Sequence, residues 1–283
     1  MKLVRVGPLG REKPGIVDAQ GRIRDLSDYI QDFSPEFLAD VALLNQIRQL
    51  DLSVLPLMDE SARIGACISK PGKLIFVGYN SLEHAKEMGI TVSQSSEPIV
   101  FMKPSAVLAG PFDPIPYTRY TQKLDWEAEL AIIIGKQGKY IPLDKAKDYI
   151  LGYACCNDLS ERYLQLETAD TQFTKGKCFD GSAPIGPYLV TRDEVHDSSQ
   201  LHIQLWVNDQ MRQNFRTMDY IHNDEKIISF LSRYFTLYPG DVISMGSAPG
   251  SARAWGNCYL QPNDKIVLSI TGLGQQTQIV VVE

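Results

Sequence analysis

The sequence predicts a β-rich α+β fold, and two features of the chain support this. Short apolar or alternating segments typical of strands recur along most of its length, whereas clearly amphipathic helical segments are few. The two kinds of segment do not alternate strictly, as they would in a doubly wound α/β fold. We therefore expect β-sheet to supply most of the core.

The 283-residue chain is long enough for one large domain or two unequal ones. We expect a small N-terminal domain over residues 1–70 and a larger domain over 71–283, divided by the Pro- and Gly-containing segment 69–73. The elements predicted in the small domain are strands at 3–6, 15–18 and 21–26 and helical segments near 27–32, 35–40 and 41–50.

The larger domain begins with an apolar strand at 74–78, followed by a short helix. We expect Asn80 to cap this helix, with Glu83 three residues further on, and Gly89 to end it. Further strands are predicted at 130–134, 152–156, 201–207, 241–245 and 265–270, and further helices at 143–150 and 226–234. Strands therefore outnumber helices in this domain.

Composition limits the classes of partner. The chain has 28 basic and 34 acidic residues, a formal charge of −6, and it lacks the basic run that binds phosphates, so we expect no nucleic-acid partner. Five cysteines without a C-x-x-C pair indicate reduced thiols. No apolar run approaches the roughly 20 residues that span a bilayer, and charge and glycine interrupt the N-terminus before a signal-peptide core. We therefore expect a cytoplasmic protein with no membrane partner.

The segment Asp125-Trp126-Glu127-Ala128-Glu129 carries three carboxylates at alternating positions. In a strand these carboxylates share one face, and the apolar run at 130–134 that follows them is expected to be buried. Glu127 and Glu129 then offer oxygen ligands at the mouth of a pocket, and Asp158 is the candidate third ligand for Mg²⁺. The alternative is a solvated strand face that binds no metal.

Three other segments are candidates for chemistry. His84 and Glu87 are three residues apart on a predicted helix, and a carboxylate beside an imidazole raises its basicity, as a water-activating base requires. Lys177 lies in a glycine-flanked segment and can stabilise an oxyanion. The loop 246–250 can present backbone N–H groups to an anion. The alternatives are an exposed histidine, a solvated lysine and a plain turn.

Together these segments resemble the fumarylacetoacetate hydrolase superfamily over residues 72–283. The matching stretches are 77–80 with His84 and Glu87, 101–104, 125–131, 152–153, 157–162, Gln165, 177–180, 184–187, 239–243 and 271–274. The resemblance implies a mixed β-sheet roll, a homodimer and a centre that binds Mg²⁺ or Mn²⁺. It also implies that the N-terminal 70 residues are the family's variable small domain.

The resemblance implies a role for nine side chains. The metal ligands are expected to be Glu127, Glu129 and Asp158, the water-activating pair His84 and Glu87, the lysine on the substrate oxygen Lys177, and the substrate-binding side chains Arg162, Gln165 and Ser247. One loop departs from the family pattern. Many relatives have Gly-Thr-Pro where this chain has Gly246-Ser247-Ala248-Pro249-Gly250, so Ser247 keeps a hydroxyl while the proline is shifted by one position.

The activity implied is hydrolytic cleavage of a carbon–carbon bond in a β-diketo, acylpyruvate-like acid. Water activated by His84 would attack the distal carbonyl, and a pyruvate enolate stabilised by the metal and Lys177 would leave. The segments 160–165 and 175–177 look most like bacterial relatives that act on 2,4-diketo-3-deoxy sugar acids. Decarboxylation of oxaloacetate-like acids, isomerisation of hydroxymuconate-like dienes and non-catalytic binding of an oxo acid are the alternatives.

Overall fold

A computed structural model describes residues 1–170 and 172–283, and this part of the chain contains eighteen strands and five α-helices. The strands are β1 (Lys2–Val6), β2 (Lys13–Val17), β3 (Ile23–Asp25), β4 (Leu74–Gly78), β5 (Ile99–Lys103), β6 (Leu108–Ala109), β7 (Ile115–Tyr117), β8 (Leu124–Asp125), β9 (Ala128–Ile134), β10 (Ile150–Asn157), β11 (Ser160–Glu161), β12 (Ala183–Pro184), β13 (Leu189–Thr191), β14 (His202–Val207), β15 (Gln210–Arg216), β16 (Val242–Ser244), β17 (Lys265–Ile270) and β18 (Gly274–Val282). The helices are α1 (Pro35–Ala39), α2 (Val41–Arg48), α3 (Leu82–Glu87), α4 (Phe173–Lys177) and α5 (Asp224–Tyr234).

Nine strands form one mixed sheet in the order β3-β2-β1-β13-β10-β9-β16-β4-β5. Every residue of β9 is buried, as expected of a central strand that is covered on both faces. The three N-terminal strands join this sheet through β1, in which Lys2 pairs with Val190 of β13. Leu3, Phe33 and Ile133 belong to one apolar cluster, so the first 70 residues share a core with the rest of the sheet. The division of the chain at residue 70 stays a prediction.

The second sheet has five strands in the order β15-β14-β17-β18-β7. Alternate residues of β14 are buried, so the sheet has one inward and one outward face. The inward side chains pack in a second apolar cluster with Ile132 and Ile134 of β9 and with Ile227 and Leu231 of α5. The two sheets therefore enclose this second cluster between them. The predicted β-rich α+β class is confirmed.

Several predicted elements differ from those in the structure. In place of a helix near 27–32 there is only a turn, in which the N–H groups of Tyr29 (2.9 Å) and Ile30 (3.1 Å) both donate to the Leu26 carbonyl. The segment Leu143–Tyr149 is a 3₁₀ helix rather than an α-helix. Among the described residues, no helix has both the length and the apolar character needed to cross a membrane.

The strand predicted through the acidic segment is interrupted at Trp126 and Glu127, between β8 and β9. Side chains replace strand partners at this break. The N–H of Glu127 donates to the Asn157 side chain (3.0 Å), and the N–H of Ala128 donates to Gln213 (2.9 Å). Asp125, Glu127 and Glu129 therefore do not lie on one continuous strand, and the N–H groups of Glu127 and Ala128 have side-chain partners.

The prediction that Asn80 caps α3 is wrong. Ser81 is the N-cap, and its hydroxyl accepts from the N–H of His84. The buried Asn80 amide instead donates to the carbonyls of His222 (2.9 Å) and Met245 (2.8 Å) and accepts from the N–H of His222 (2.8 Å). These three hydrogen bonds hold the segment before α3 against the segments that contain His222 and Met245. They also give the buried amide the polar partners that it needs.

We predict that Asn80→Ala destabilises the protein more than Ser81→Ala. The first change leaves three buried main-chain groups without partners, each at roughly 1–3 kcal/mol, whereas loss of an N-cap costs about 1 kcal/mol. Urea unfolding followed by circular dichroism measures both free energies of unfolding. An equal or larger loss in Ser81→Ala would contradict the role assigned to Asn80.

Candidate metal centre and active site

Three buried carboxylates converge where β9 begins and β10 ends. One oxygen from each of Glu127, Glu129 and Asp158 lies within 4.8 Å of one from each of the others. The antiparallel pairing of the two strands sets this arrangement, because Ala128 lies opposite Asn157 and the N–H of Asp158 donates to the carbonyl of Glu127 (2.9 Å). The cavity they line measures about 20 Å³, close to the size of a single ion or water.

Two of these carboxylates, Glu127 and Asp158, contact three buried cations, Lys103, Arg162 and Lys177. Arg162 donates to Asp125 through Nε and to Glu127 through a terminal nitrogen, both at 2.7 Å. Lys177 contacts both Glu127 and Asp158, the latter at 2.6 Å. Burial alone would raise the pKa of Glu127, but the charges of Arg162 and Lys177 outweigh it and hold that pKa well below its ordinary value.

Glu129 has a different environment. It accepts from the Ser244 hydroxyl (2.5 Å) and from the N–H of Gly246 (3.0 Å), and none of the ion pairs among the described residues includes it. Burial raises the pKa of Glu129 well above its ordinary value, and the charges of Asp158 and Glu127 raise it further. The charge of Lys177 acts against these effects but does not outweigh them, and among the described residues this carboxylate has no direct ion-pair partner.

The charges at the site suit a divalent cation. Four carboxylates, Asp125, Glu127, Glu129 and Asp158, face three cations, Lys103, Arg162 and Lys177, so the formal sum is 3 − 4 = −1. All the candidate ligand atoms are carboxylate oxygens, the donors that Mg²⁺ and Mn²⁺ prefer. The acidic triad can therefore hold a metal ion of this class.

His84 lies between the triad and Glu87. Its Nε2 is 3.4 Å from Glu127 and its Nδ1 is 3.4 Å from Glu87, at neighbouring turns of α3. Burial lowers the pKa of His84, but Glu127 and Glu87 together outweigh burial and raise it. Both oxygens of Glu87 in turn accept from the N–H of Gly250, at 2.8 and 3.0 Å. The loop 246–250 therefore holds Glu87 against the imidazole.

The structure brings eight of the nine predicted side chains to the wall of this cavity, and the ninth, Glu87, lies behind His84. Gln165, in the π-helical turn Tyr163–Glu167, accepts from Arg162 (2.9 Å). Ser247 accepts from the Gln213 side chain (3.2 Å) and donates to the Ala248 carbonyl (2.8 Å). The roles of these residues stay predictions.

Lys103 lies in the matching stretch 101–104 but has no predicted role. The side chain is fully buried, with Nζ 2.6 Å from Asp158 and hydrogen bonded to the carbonyls of Leu159 (3.2 Å) and Ser182 (2.7 Å). Burial is the largest influence on this lysine and lowers its pKa. Its position at the end of the apolar segment IVFM is the only unusual feature of Lys103 in the sequence, and this feature does not reveal its distant partners.

Known proteins resemble this chain in sequence and in fold. A sequence model of the family described as fumarylacetoacetate (FAA) hydrolase C-terminal matches residues 73–281. A protein of Burkholderia multivorans is 43% identical over 281 residues, which cover 99% of this chain and 98% of that protein. The solved fumarylacetoacetate hydrolase of Exiguobacterium antarcticum has a TM-score of 0.86 and 33% identity over the whole of both chains.

Two further solved structures extend the comparison. Maleylpyruvate hydrolase from Sphingobium sp. SYK-6, in complex with manganese(II) and pyruvate, has a TM-score of 0.83 and 26% identity, covering 100% of this chain and 99% of that one. The 5-carboxymethyl-2-hydroxymuconate delta-isomerase of Mycobacterium smegmatis has a TM-score of 0.76 and 27% identity with the same coverage. Because the family match spans most of the sequence and the fold agrees along its length, the chain belongs to the fumarylacetoacetate hydrolase family.

Proposed function

We propose that the protein is a metal-dependent hydrolase that cleaves a carbon–carbon bond in a β-diketo, acylpyruvate-like acid to give pyruvate and a carboxylic acid. The observation that carries the proposal is the histidine–carboxylate pair, His84 and Glu87, whose imidazole reaches the edge of the carboxylate triad. A group that activates water is needed for hydrolysis and is not needed for decarboxylation or isomerisation. The manganese and pyruvate bound by the Sphingobium relative support the same chemistry.

In this proposal Glu127, Glu129 and Asp158 hold Mg²⁺ or Mn²⁺. A divalent ion, when bound, polarises a carbonyl and stabilises the negative charge that develops on its oxygen. Asp125 is outside the ligand set because its oxygens accept from Arg162, from the N–H of Trp126 and from that of Ala252. Its part is to orient the guanidinium that also contacts Glu127.

The protein's own groups move the protons and orient the substrate. His84 accepts a proton from water through Nε2, while Glu87 holds the proton on Nδ1 and stabilises the imidazolium. The resulting hydroxide adds to the distal carbonyl, the bond between that carbon and the methylene breaks, and its electron pair forms the enolate of pyruvate. A proton returned to the methylene carbon completes pyruvate, and the distal fragment leaves as a carboxylic acid.

Lys177 is placed to stabilise the enolate oxygen. Its ammonium has three N–H donors, of which two are directed at Glu127 and Asp158, so one remains for a substrate. Arg162, Gln165 and Ser247 are proposed to orient the substrate's carboxylate end. Their polar groups line the same cavity wall.

The remaining parts of the proposal follow from the resemblance and the composition. The partner is a small diketo or oxo acid, the chain forms a homodimer, and the enzyme acts in the cytoplasm. The net charge of −6 argues against nucleic acid as a partner.

The first prediction from this proposed function concerns the products. An acylpyruvate offered with Mn²⁺ or Mg²⁺ is expected to give equal amounts of pyruvate and carboxylic acid, and EDTA should stop the reaction until metal is restored. Chromatography of the products measures both acids, with oxaloacetate, a hydroxymuconate-type diene and a 2,4-diketo-3-deoxy sugar acid in parallel. Pyruvate and CO₂ from oxaloacetate alone, an isomerised diene alone, or ligand-induced thermal stabilisation without any product would each overturn the hydrolase assignment.

A second prediction tests the metal site through Glu129→Gln. The substitution removes a ligand charge but keeps an oxygen for the Ser244 hydroxyl and the N–H of Gly246, so we expect the apoprotein to be no less stable thermally. Its Mn²⁺ affinity should fall by more than about 100-fold, beyond what loss of an outer hydrogen bond costs. Isothermal titration calorimetry of the parent, of Glu129→Gln and of Glu87→Gln as the matched control measures this. Parental affinity in Glu129→Gln would exclude Glu129 as a ligand.

A third prediction separates water activation from metal binding. His84→Ala is expected to bind Mn²⁺ as the parent does and to lower kcat for hydrolysis by about 10²–10⁴-fold, the usual contribution of a general base. The exposed His196, away from the cavity wall, provides the control substitution His196→Ala. Hydrolysis retained in His84→Ala would remove this residue from the mechanism.

A further inference from the structure

The buried amide of Gln213, which is outside the cavity wall, connects strand β9 to the loop 246–250. Gln213 lies on β15 of the five-stranded sheet and is fully buried. Its Oε1 accepts from the N–H of Ala128 (2.9 Å), and its Nε2 donates to the Ala248 carbonyl (2.5 Å) and to the Ser247 hydroxyl (3.2 Å). One side chain from the second sheet therefore contacts both β9 and the loop 246–250.

On the strand side, Gln213 acts where β9 begins. Ala128 stands between Glu127 and Glu129, and its N–H donates to this amide instead of to a strand. Because Ala128 joins Glu127 to Glu129 in the chain, the direction of its peptide group constrains the direction of both neighbouring carboxylates. The amide is therefore positioned to fix the angle at which two of the three candidate ligands enter the cavity.

On the loop side, Gln213 holds the middle of a segment whose two ends contact the site. The N–H of Gly246 donates to Glu129 (3.0 Å), and that of Gly250 donates to Glu87 (2.8 and 3.0 Å). The loop also lies directly against β15 at Gly250, whose φ is +102° and where a Cβ would come within 2.0 Å of the Arg212 carbonyl oxygen. Contacts with β15 therefore constrain the position of the loop that carries both of these N–H groups.

We propose that Gln213 is a positioning residue that couples the metal-ligand strand to helix α3. Through Ala128 it sets the carboxylate triad, and through Ser247 and Ala248 it sets the loop that holds Glu87 against His84. The proposal rests on the proposed function for its catalytic consequence. Its structural consequences, on metal affinity and on the stability of α3, do not require hydrolysis.

The test compares two buried glutamines of the same sheet. Gln213→Met keeps the side-chain length and removes all three hydrogen bonds. Gln276→Met is the matched control, because Gln276 is equally buried and donates to three carbonyls, those of Cys155, Pro184 and Gly186, none of which lines the cavity. Gln213→Asn is a milder second variant, whose amide is one methylene too short to reach Ala128 and Ala248 together.

The readouts are Mn²⁺ titration calorimetry, hydrogen exchange of the α3 amides, thermal unfolding, and kcat and KM. We expect Gln213→Met to weaken Mn²⁺ binding by about 10–100-fold, to speed exchange in α3 and to lower kcat more than it raises KM. Gln213→Asn should change each in the same direction. Gln276→Met should lower the unfolding temperature without these effects.

Two results would overturn the proposal. One is a folded Gln213→Met or Gln213→Asn variant with parental Mn²⁺ affinity and parental exchange in α3. The other is an equal loss of Mn²⁺ affinity in Gln276→Met. If the parent binds Mn²⁺ but hydrolyses no acylpyruvate, the proposed function fails while the calorimetry and hydrogen exchange still decide the role of Gln213.

Discussion

The constraint on which the site depends is the confinement of four carboxylates in a buried space. Like charges at this separation repel strongly in a medium of low dielectric constant, so each must be paired or lose its charge. Two solutions are present side by side. Glu127 and Asp158 are surrounded by cations, whereas Glu129 has only a hydroxyl and a backbone N–H. This difference leaves Glu129 as the carboxylate of the triad without an ion pair, and a divalent cation bound by the triad would supply the missing positive charge.

The two sheets contribute different parts to this balance. The nine-stranded sheet supplies Glu129 and Lys103, through β9 and β5, and Glu127 and Asp158 lie directly beside the ends of β9 and β10. Lys177 comes from helix α4. The five-stranded sheet supplies neutral hydrogen-bonding groups. Among them, the side chain of Gln213 reaches Ala128 at the start of β9. Because the chain leaves the strand at Glu127, the N–H of Ala128 donates to this side chain of the other sheet. A regular strand would satisfy the same groups within its own sheet.

Local patterns in the sequence predicted the parts of the site that lie on one element. The alternation of Glu127 and Glu129 and the three-residue spacing of His84 and Glu87 each follow from strand and helix geometry. Asp158 was a candidate third ligand without any resemblance, whereas the grouping of these residues with Lys177 and Gln165 came from resemblance to a family. The interruption of the strand, the burial of Lys103 and the bonds of Asn80 depend on segments up to 165 residues away, and no local pattern carries that information.

Under the proposed function, the distinction between hydrolysis and the other reactions would depend on the loop 246–250 more than on the proposed metal ligands. Enolate chemistry would need the carboxylate triad and Lys177, and a decarboxylase or an isomerase would use both equally well. Water activation needs in addition that His84 stay beside the triad, and the contact that holds its partner Glu87 is the N–H of Gly250. Trp126, next to Glu127, donates to the carbonyl of that same glycine (3.1 Å). The His84–Glu87 pair is thus connected to Trp126 through one residue, Gly250, of a loop whose sequence departs from the commoner Gly-Thr-Pro. Under the proposed function, this loop would decide between hydrolysis and the other reactions.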